Sequence, residues 1–421
     1  MKPFALYGDH IWMDTDSALQ LMPESFGICD GSGRCAGVFK TLPRAFEGIS
    51  VRDLRGHLIV PGYIDLHTHA AQYRNIGLGM DHQLIDWLSD LTYPEEARFA
   101  DPAFARTVYG RFAAELKAGF TTRAVIFASA HTEATSILAE LMEETGLISY
   151  IGRVNMDRSA PDYIREPDAA SAVAETARWL EAESGRHART HPILTPRFIP
   201  SCTPDLLEGL ACLREQYRLP VQSHLDEQPE EIEWVRELCP ESVSYAAAYD
   251  RYGFLSGRSV MAHCIYMTDD EIGLMKERST FIAHCPGSNA NVRSGIAPIR
   301  RYLGEGLSVG LGTDISGGSS LDMADAVRDA LAASRLLWRL SDDHPKHLSA
   351  QECFSLATAG GGAFFGRVGR FEPGYEFDAV AVDDTRWAWP GDDLSTRFEK
   401  FIYNARSGDV KAKYAAGTQI L

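Results

Sequence analysis

The chain has 421 residues, 45% of them apolar, and carries a formal net charge of −17. That length and apolar content support one large domain with a smaller one beside it, and the acidic balance argues against nucleic acid as the main partner. The first ten residues lack the apolar core of a signal peptide and no apolar run is long enough to span a bilayer, so a cytoplasmic protein is expected.

Residues 1–60 read as short strands joined by turns. Phe26 to Val38, for example, reads as strand, Asp30-Gly31 turn, strand. From Val60 onward short β-rich runs alternate with helical stretches at a spacing suited to βα units. Strands are predicted ending at His69 and over 121–127, 148–156, 192–198, 220–224, 259–263, 280–284 and 308–314. Helices are predicted over 101–118, 170–183, 204–216, 230–238 and 269–278. Eight strands with intervening helices over 61–365 predict a (β/α)8 TIM-like barrel, whose functional residues lie at the C-terminal ends of the strands. The triplet Gly360-Gly361-Gly362 lacks a following Lys-Ser/Thr, so it reads as a closely packed helix, not a phosphate loop. Residues 366–421 return to turn-and-strand texture and are expected to pair with 1–60 in a small β-sandwich domain. Eight scattered cysteines include no Cys-x-x-Cys pair and read as reduced, mostly buried thiols.

The most informative stretch is Pro61-Gly62-Tyr63-Ile64-Asp65-Leu66-His67-Thr68-His69. Side chains repeat every second residue along a strand, so His67 and His69 share a face and can hold one ion between them. On spacing alone a His-x-His pair is common, so further ligands are needed. His224 ends the fifth predicted strand and Asp314 the eighth. Three imidazoles and one carboxylate suit zinc or iron(II), and such a metal brings the pKa of a bound water from 15.7 to about 7. The fourth strand offers no lysine to bridge two ions, so one metal per subunit is expected.

Glu227, three residues past His224, is placed to carry protons, although a glutamate beside a helix start is also a common charge partner of that helix. His263 ends the sixth strand and is placed to hydrogen-bond the attacking water or the attacked centre. His284 reads as supporting the site from behind. Arg197, a planar fork of donors, and Phe198, a flat apolar face, suit a planar heterocycle bearing a carbonyl; a structural ion pair is the alternative for Arg197. Gln72 offers both a donor and an acceptor.

With these residues in place the chain resembles the metal-dependent amidohydrolase superfamily and, within it, the guanine deaminases. His-x-His and the late aspartate mark the superfamily. Gln72, Asp86-Trp87-Leu88, Tyr93-Pro94-Glu95-Glu96 and Pro196-Arg197-Phe198 mark the narrower group. Gly287 and Arg123 depart from the usual pattern. The resemblance implies metal ligation by His67, His69, His224 and Asp314, purine contacts from Gln72, Arg197, Phe198 and Glu227, and a homodimer. It also implies hydrolysis of guanine to xanthine and ammonia by a metal-bound hydroxide, with Glu227, His263 and Asp314 as catalytic groups. The rival readings are deamination of another ring (a pterin, a triazine or 8-oxoguanine) and a scaffold protein with no activity, and a complete ligand set argues against the second. A separate zinc deaminase type carries His-x-Glu followed by Pro-Cys-x-x-Cys; His131-Thr132-Glu133 is present here without the cysteines, a chance match.

Overall fold

The computed structural model describes every residue except Pro345. Four strands open the chain: β1 (Phe4–Met13), β2 (Leu19–Cys29), β3 (Cys35–Phe39) and β4 (Ser50–Pro61). The middle of the chain contributes β5 (Tyr63–His69), β6 (Thr121–Phe127), β7 (Ile148–Gly152), β8 (Val154–Asn155), β9 (Thr190–Pro192), β10 (Thr195–Pro196), β11 (Val221–Leu225), β12 (Ser259–His263), β13 (Phe281–His284) and β14 (Ser308–Leu311). Three more close it: β15 (Ala379–Val382), β16 (Val410–Ala415) and β17 (Thr418–Gln419).

The two chain ends meet in one mixed sheet of order β17-β16-β15-β4-β1-β2-β3. The joining pair is β15 against β4, antiparallel, with Ala379 opposite Pro61 and Val382 opposite Leu58. Because β4 runs almost directly into β5, this sheet anchors the start of the segment that carries His67 and His69. Arg123 reinforces the anchor. Its buried guanidinium donates to Asp378 at 2.7 Å and to Glu376 at 2.7 Å, tying β6 to the chain just before β15. The C-terminal segment also holds the helix Leu394–Asn404, which buries Phe398, Phe401 and Ile402. The turn-and-strand texture predicted there missed it.

The middle strands form two four-stranded parallel sheets, β5-β6-β7-β9 and β11-β12-β13-β14. All seven residues of β5, all seven of β6 and all five of β12 are buried. That is the pattern of parallel strands covered on both faces, which need no polar alternation. Two predicted strands are broken in the structure. The third divides into β7 and β8, the fourth into β9 and β10, with proline at 192 and 196 withholding ladder donors. The eighth ends at Leu311, three residues short of Asp314, and the fifth runs one residue past His224. The glycine triplet does pack closely: a Cβ at Gly310 would lie 2.8 Å from Gly361 Cα.

The helices follow their capping signals. Asp101 accepts from Ala103 N at 2.9 Å and Pro102 opens the helix Pro102–Ala118. The helix Pro229–Leu238 begins two residues after Glu227, and Glu231 in its first turn accepts from the backbone N–H of Glu227 at 3.1 Å. The same carboxylate accepts from the N–H of Gln228, which precedes the helix, at 3.4 Å, so one side chain caps the helix and fixes the backbone that carries a site residue. Of the eight cysteines, all unpaired, six are buried.

Candidate active site

The site forms where the parallel strands end. His67 and His69 leave β5 on the same side, their Nε2 atoms 3.2 Å apart, and His224 Nε2 from β11 lies 3.2 Å from His69 Nε2. Asp314 Oδ1 lies 3.1 Å from His67 Nε2 and 3.4 Å from His69 Nε2. Donors held about 2.0–2.1 Å from a tetrahedral zinc ion are about 3.3 Å apart, so these spacings fit one small divalent cation. The protonation states fit as well. Burial, then the neighbouring His67, holds His69 and His224 well below the ordinary imidazole value. His67 is also lowered, burial outweighing Asp314. Burial pushes the Asp314 carboxyl up, but His67 and the other facing imidazoles outweigh it and keep it ionised. Neutral imidazoles and a carboxylate anion are the ligand-competent forms.

Backbone and side-chain bonds aim the donors. His224 Nδ1 donates to Arg197 O at 2.7 Å, which leaves its Nε2 lone pair free to face the centre. Asp65, on the same side of β5 as the two histidines, accepts from Thr313 Oγ1 at 2.5 Å and from the N–H groups of His67 and Thr313 at 3.1 Å each. It therefore stitches β5 to the loop that carries Asp314. The close approach requires glycine at 312, where a Cβ would sit 2.9 Å from His67 Cβ and 3.0 Å from Cys285 Sγ. His263 and Asp314 have φ of 71° and 46°, a left-handed conformation that non-glycine residues adopt at a cost of about 1–3 kcal/mol and that clusters at functional sites.

Two further groups face the same centre. His263 Nε2 is 3.4 Å from Glu227 Oε2 and 3.7 Å from Asp314 Oδ2, and its Nδ1 donates to Asn289 Oδ1 at 2.8 Å. Burial alone would lower His263; the Glu227 and Asp314 carboxylates reverse this and raise it. Burial pushes the Glu227 carboxyl up to about 7, while Ser294 Oγ donates to its Oε1 at 3.0 Å. A carboxyl poised near neutrality can both take and return a proton.

A pocket opens over this centre. Its polar wall is Gln72 and Arg197, and its apolar walls are Phe198, Leu84, Trp87, Leu88 and Val292. The mixture of flat apolar faces with a few polar groups suits a small planar ligand. Arg197 is at once an ion-pair partner and a pocket residue: its guanidinium meets Glu96 at 2.6 Å and lies over the Tyr93 ring.

Every site residue predicted from sequence (Gln72, His67, His69, Arg197, Phe198, His224, Glu227, His263 and Asp314) lies in or directly beneath this one pocket. Asp65, Glu96, Asn289 and Ser294 went without a role in the sequence. For Asp65 the signal was there, since alternation puts it on the face of His67 and His69. Asn289 and Ser294 sit on a helix and loop after Cys285 that no short motif announces.

The comparisons agree with this geometry. The amidohydrolase family model matches residues 58–420. Guanine deaminase of Dictyostelium discoideum is 35% identical over 419 residues, covering 97% of this chain and 93% of that protein. Guanine deaminase of Escherichia coli is 34% identical over 343 residues, 80% of this chain and 76% of that one. Among solved structures, guanine deaminase from C. acetobutylicum with bound guanine in the active site superposes with a TM-score of 0.96 at 38% identity, covering 100% of both chains. The family match spans most of the sequence and the relatives span most of their own lengths, so the chain belongs to the amidohydrolase family.

Proposed function

We propose that the protein is a guanine deaminase that hydrolyses guanine to xanthine and ammonia. The observation that carries this is the meeting in one pocket of a cluster of metal-type donors, Glu227 and His263 with two residues suited to read a carbonyl, Gln72 and Arg197. The relatives named guanine deaminase support the same substrate.

His67, His69, His224 and Asp314 would hold one divalent metal, zinc from the nitrogen-rich donor set with iron(II) as the alternative, and that metal would supply water acidic enough to ionise near neutral pH. Phe198 stacks against the flat base, and Arg197 and Gln72 donate to and accept from its carbonyl and ring-nitrogen edge. This turns C2, the carbon bearing the exocyclic amine, toward the centre. Glu227 takes a proton from the attacking water and passes it to ring nitrogen N3. His263 donates to the new oxygen on C2. Asp314 Oδ2, 3.7 Å from His263 Nε2, helps carry a proton to the amine, which leaves as ammonia. Adenine lacks the carbonyl and would leave buried donors unpaired, a difference of about 10⁴ or more in kcat/KM.

The proposal extends to architecture. The middle strands close into a (β/α)8 barrel over 61–365, with 1–60 and 366–421 as the small β domain. Supporting closure, Leu194 bridges to Val221 between the two parallel sheets on one side, and Asp314 N donates to His67 O at 2.8 Å on the other. A homodimer is proposed from the family resemblance, and Leu336 and Leu340, exposed one turn apart on a helix, offer apolar surface for it. A cytoplasmic location accords with unpaired cysteines and with no helix, among the described residues, long and apolar enough to cross a membrane.

The test is ultraviolet absorbance of the guanine-to-xanthine conversion with and without a chelator, alongside elemental analysis. Metal-independent turnover, or none with metal bound, would remove this reading.

A further inference from the structure

Glu96 is 1% exposed and sits in the short helix Tyr93–Ala97. A buried carboxylate is costly unless its oxygens are well paired. Here both are engaged. Oε2 accepts from Arg197 Nη1 at 2.6 Å, and Oε1 accepts from Arg197 Nη2 at 3.2 Å and from Gln72 Nε2 at 2.9 Å. No step of the proposed reaction uses Glu96, yet it holds both residues of the polar wall.

Two physical consequences follow. The first is orientation. An ionised carboxylate only accepts, so Gln72 must turn its amide nitrogen to Glu96 and its oxygen the other way, where Oε1 accepts from Ser316 N at 3.3 Å. A flipped amide would set oxygen against oxygen in a buried site. Arg197 spends two of its five donors on Glu96 and rests on the Tyr93 ring, its carbon 5.1 Å from the ring centroid, which leaves its other donors fixed for a ligand. The second is charge. A buried guanidinium without a partner favours an anion; one cancelled by Glu96 favours a neutral carbonyl.

We propose that Glu96 is a positioning residue that sets specificity: it locks the Gln72 amide and neutralises Arg197, so the pocket prefers a neutral oxopurine over an anionic one. This rests on the guanine reading above.

The test compares the parent enzyme with Glu96→Gln and Glu96→Asp, using guanine as substrate and urate, an oxopurine that is anionic at neutral pH, as competitive inhibitor. Glu96→Gln is expected to keep its metal and to lose about 10- to 100-fold in kcat/KM for guanine, mostly through KM. Its urate inhibition constant, relative to its KM for guanine, should fall by at least about 10-fold. Glu96→Asp keeps the charge on a shorter arm, so its KM rises while the urate-to-guanine ratio stays at the parent value. A parent-like KM in Glu96→Gln, or guanine and urate weakened equally, overturns the proposal. Should Glu96→Gln not fold, a shifted ratio or an unchanged KM in Glu96→Asp overturns it just as well. If the parent itself released no ammonia from guanine, the function reading would fail, and calorimetric binding of guanine and urate to parent and variants would still judge Glu96.

Discussion

The two walls of the pocket are built differently. The metal-facing wall is carried by strands and their immediate exits: His67 and His69 on β5, His224 on β11, His263 on β12, and Asp314 just beyond β14. Strand pairing fixes the four histidines, and one further bond aims His224 to Arg197 O and His263 to Asn289. The wall proposed to read the base is carried by short helices and turns: Gln72 in the turn Ala70–Asn75, Glu96 in Tyr93–Ala97, and Arg197 just after the two-residue strand β10. Its order comes from side chains holding side chains. The contrast teaches that a strand-borne site tolerates loss of one supporting contact better than a network-borne one, because packing still fixes the backbone.

Variants can break or sharpen this contrast. The largest effect is expected from His67→Ala, which removes the donor that meets both His69 and Asp314; metal content and turnover should both disappear, and full metal occupancy by elemental analysis would contradict the ligand set. Glu227→Gln should keep metal and lose about 10²–10⁴-fold in kcat, the usual weight of general acid–base catalysis. Near-normal turnover would take Glu227 out of the mechanism. On the other wall, Arg197→Ala should lower kcat/KM for guanine by about 10- to 100-fold, chiefly through KM, and it also leaves Glu96 buried without its cation. An unchanged KM would mean that Arg197 reads nothing.

A smaller effect is expected from Gly312→Ala. The added Cβ would press on the His67 Cβ and backbone oxygen, and metal affinity should fall by about 10-fold, measured by competition with a chelator. The last effect is on stability and belongs to a histidine on neither wall. His10, in the terminal sheet, is fully buried, and burial lowers its pKa to about 3. The unfolded chain therefore binds a proton at this residue below about pH 6.5 that the folded chain refuses until about pH 3. Stability from this group is present above the unfolded value and drains away as pH falls through that window. In His10→Gln the decline of unfolding free energy with acid should be shallower by up to ~1.4 kcal/mol per pH unit, read from denaturant midpoints between pH 4 and 6. An unchanged slope would mean that His10 is already protonated when folded.

The metal wall was legible because it obeys a local rule. Strand alternation brings residues 67 and 69 together whatever the rest of the chain does, and strand-end histidines and a late aspartate are visible one motif at a time. The reading wall was half legible. Gln72, Arg197 and Phe198 could be named from their chemistry, while Glu96 stood in a family-marking motif without a role, because its partners lie 24 and 101 residues away and no spacing rule links them. Strand limits failed where proline interrupts the ladder, and the helix Leu394–Asn404 was missed in a segment judged by its turns.

The amino-acid order by itself determined the donor types and the parallel-strand rhythm that carries them, since these depend on residues close together in the chain. Only the tertiary structure decided that His67, His224 and Asp314 each come within 3.2–3.4 Å of His69, that Thr313 and Asp65 clasp β5 to the loop after β14, and that one buried glutamate holds both Gln72 and Arg197. Those are contacts across long loops, set by how whole elements pack, and a linear pattern holds no record of them.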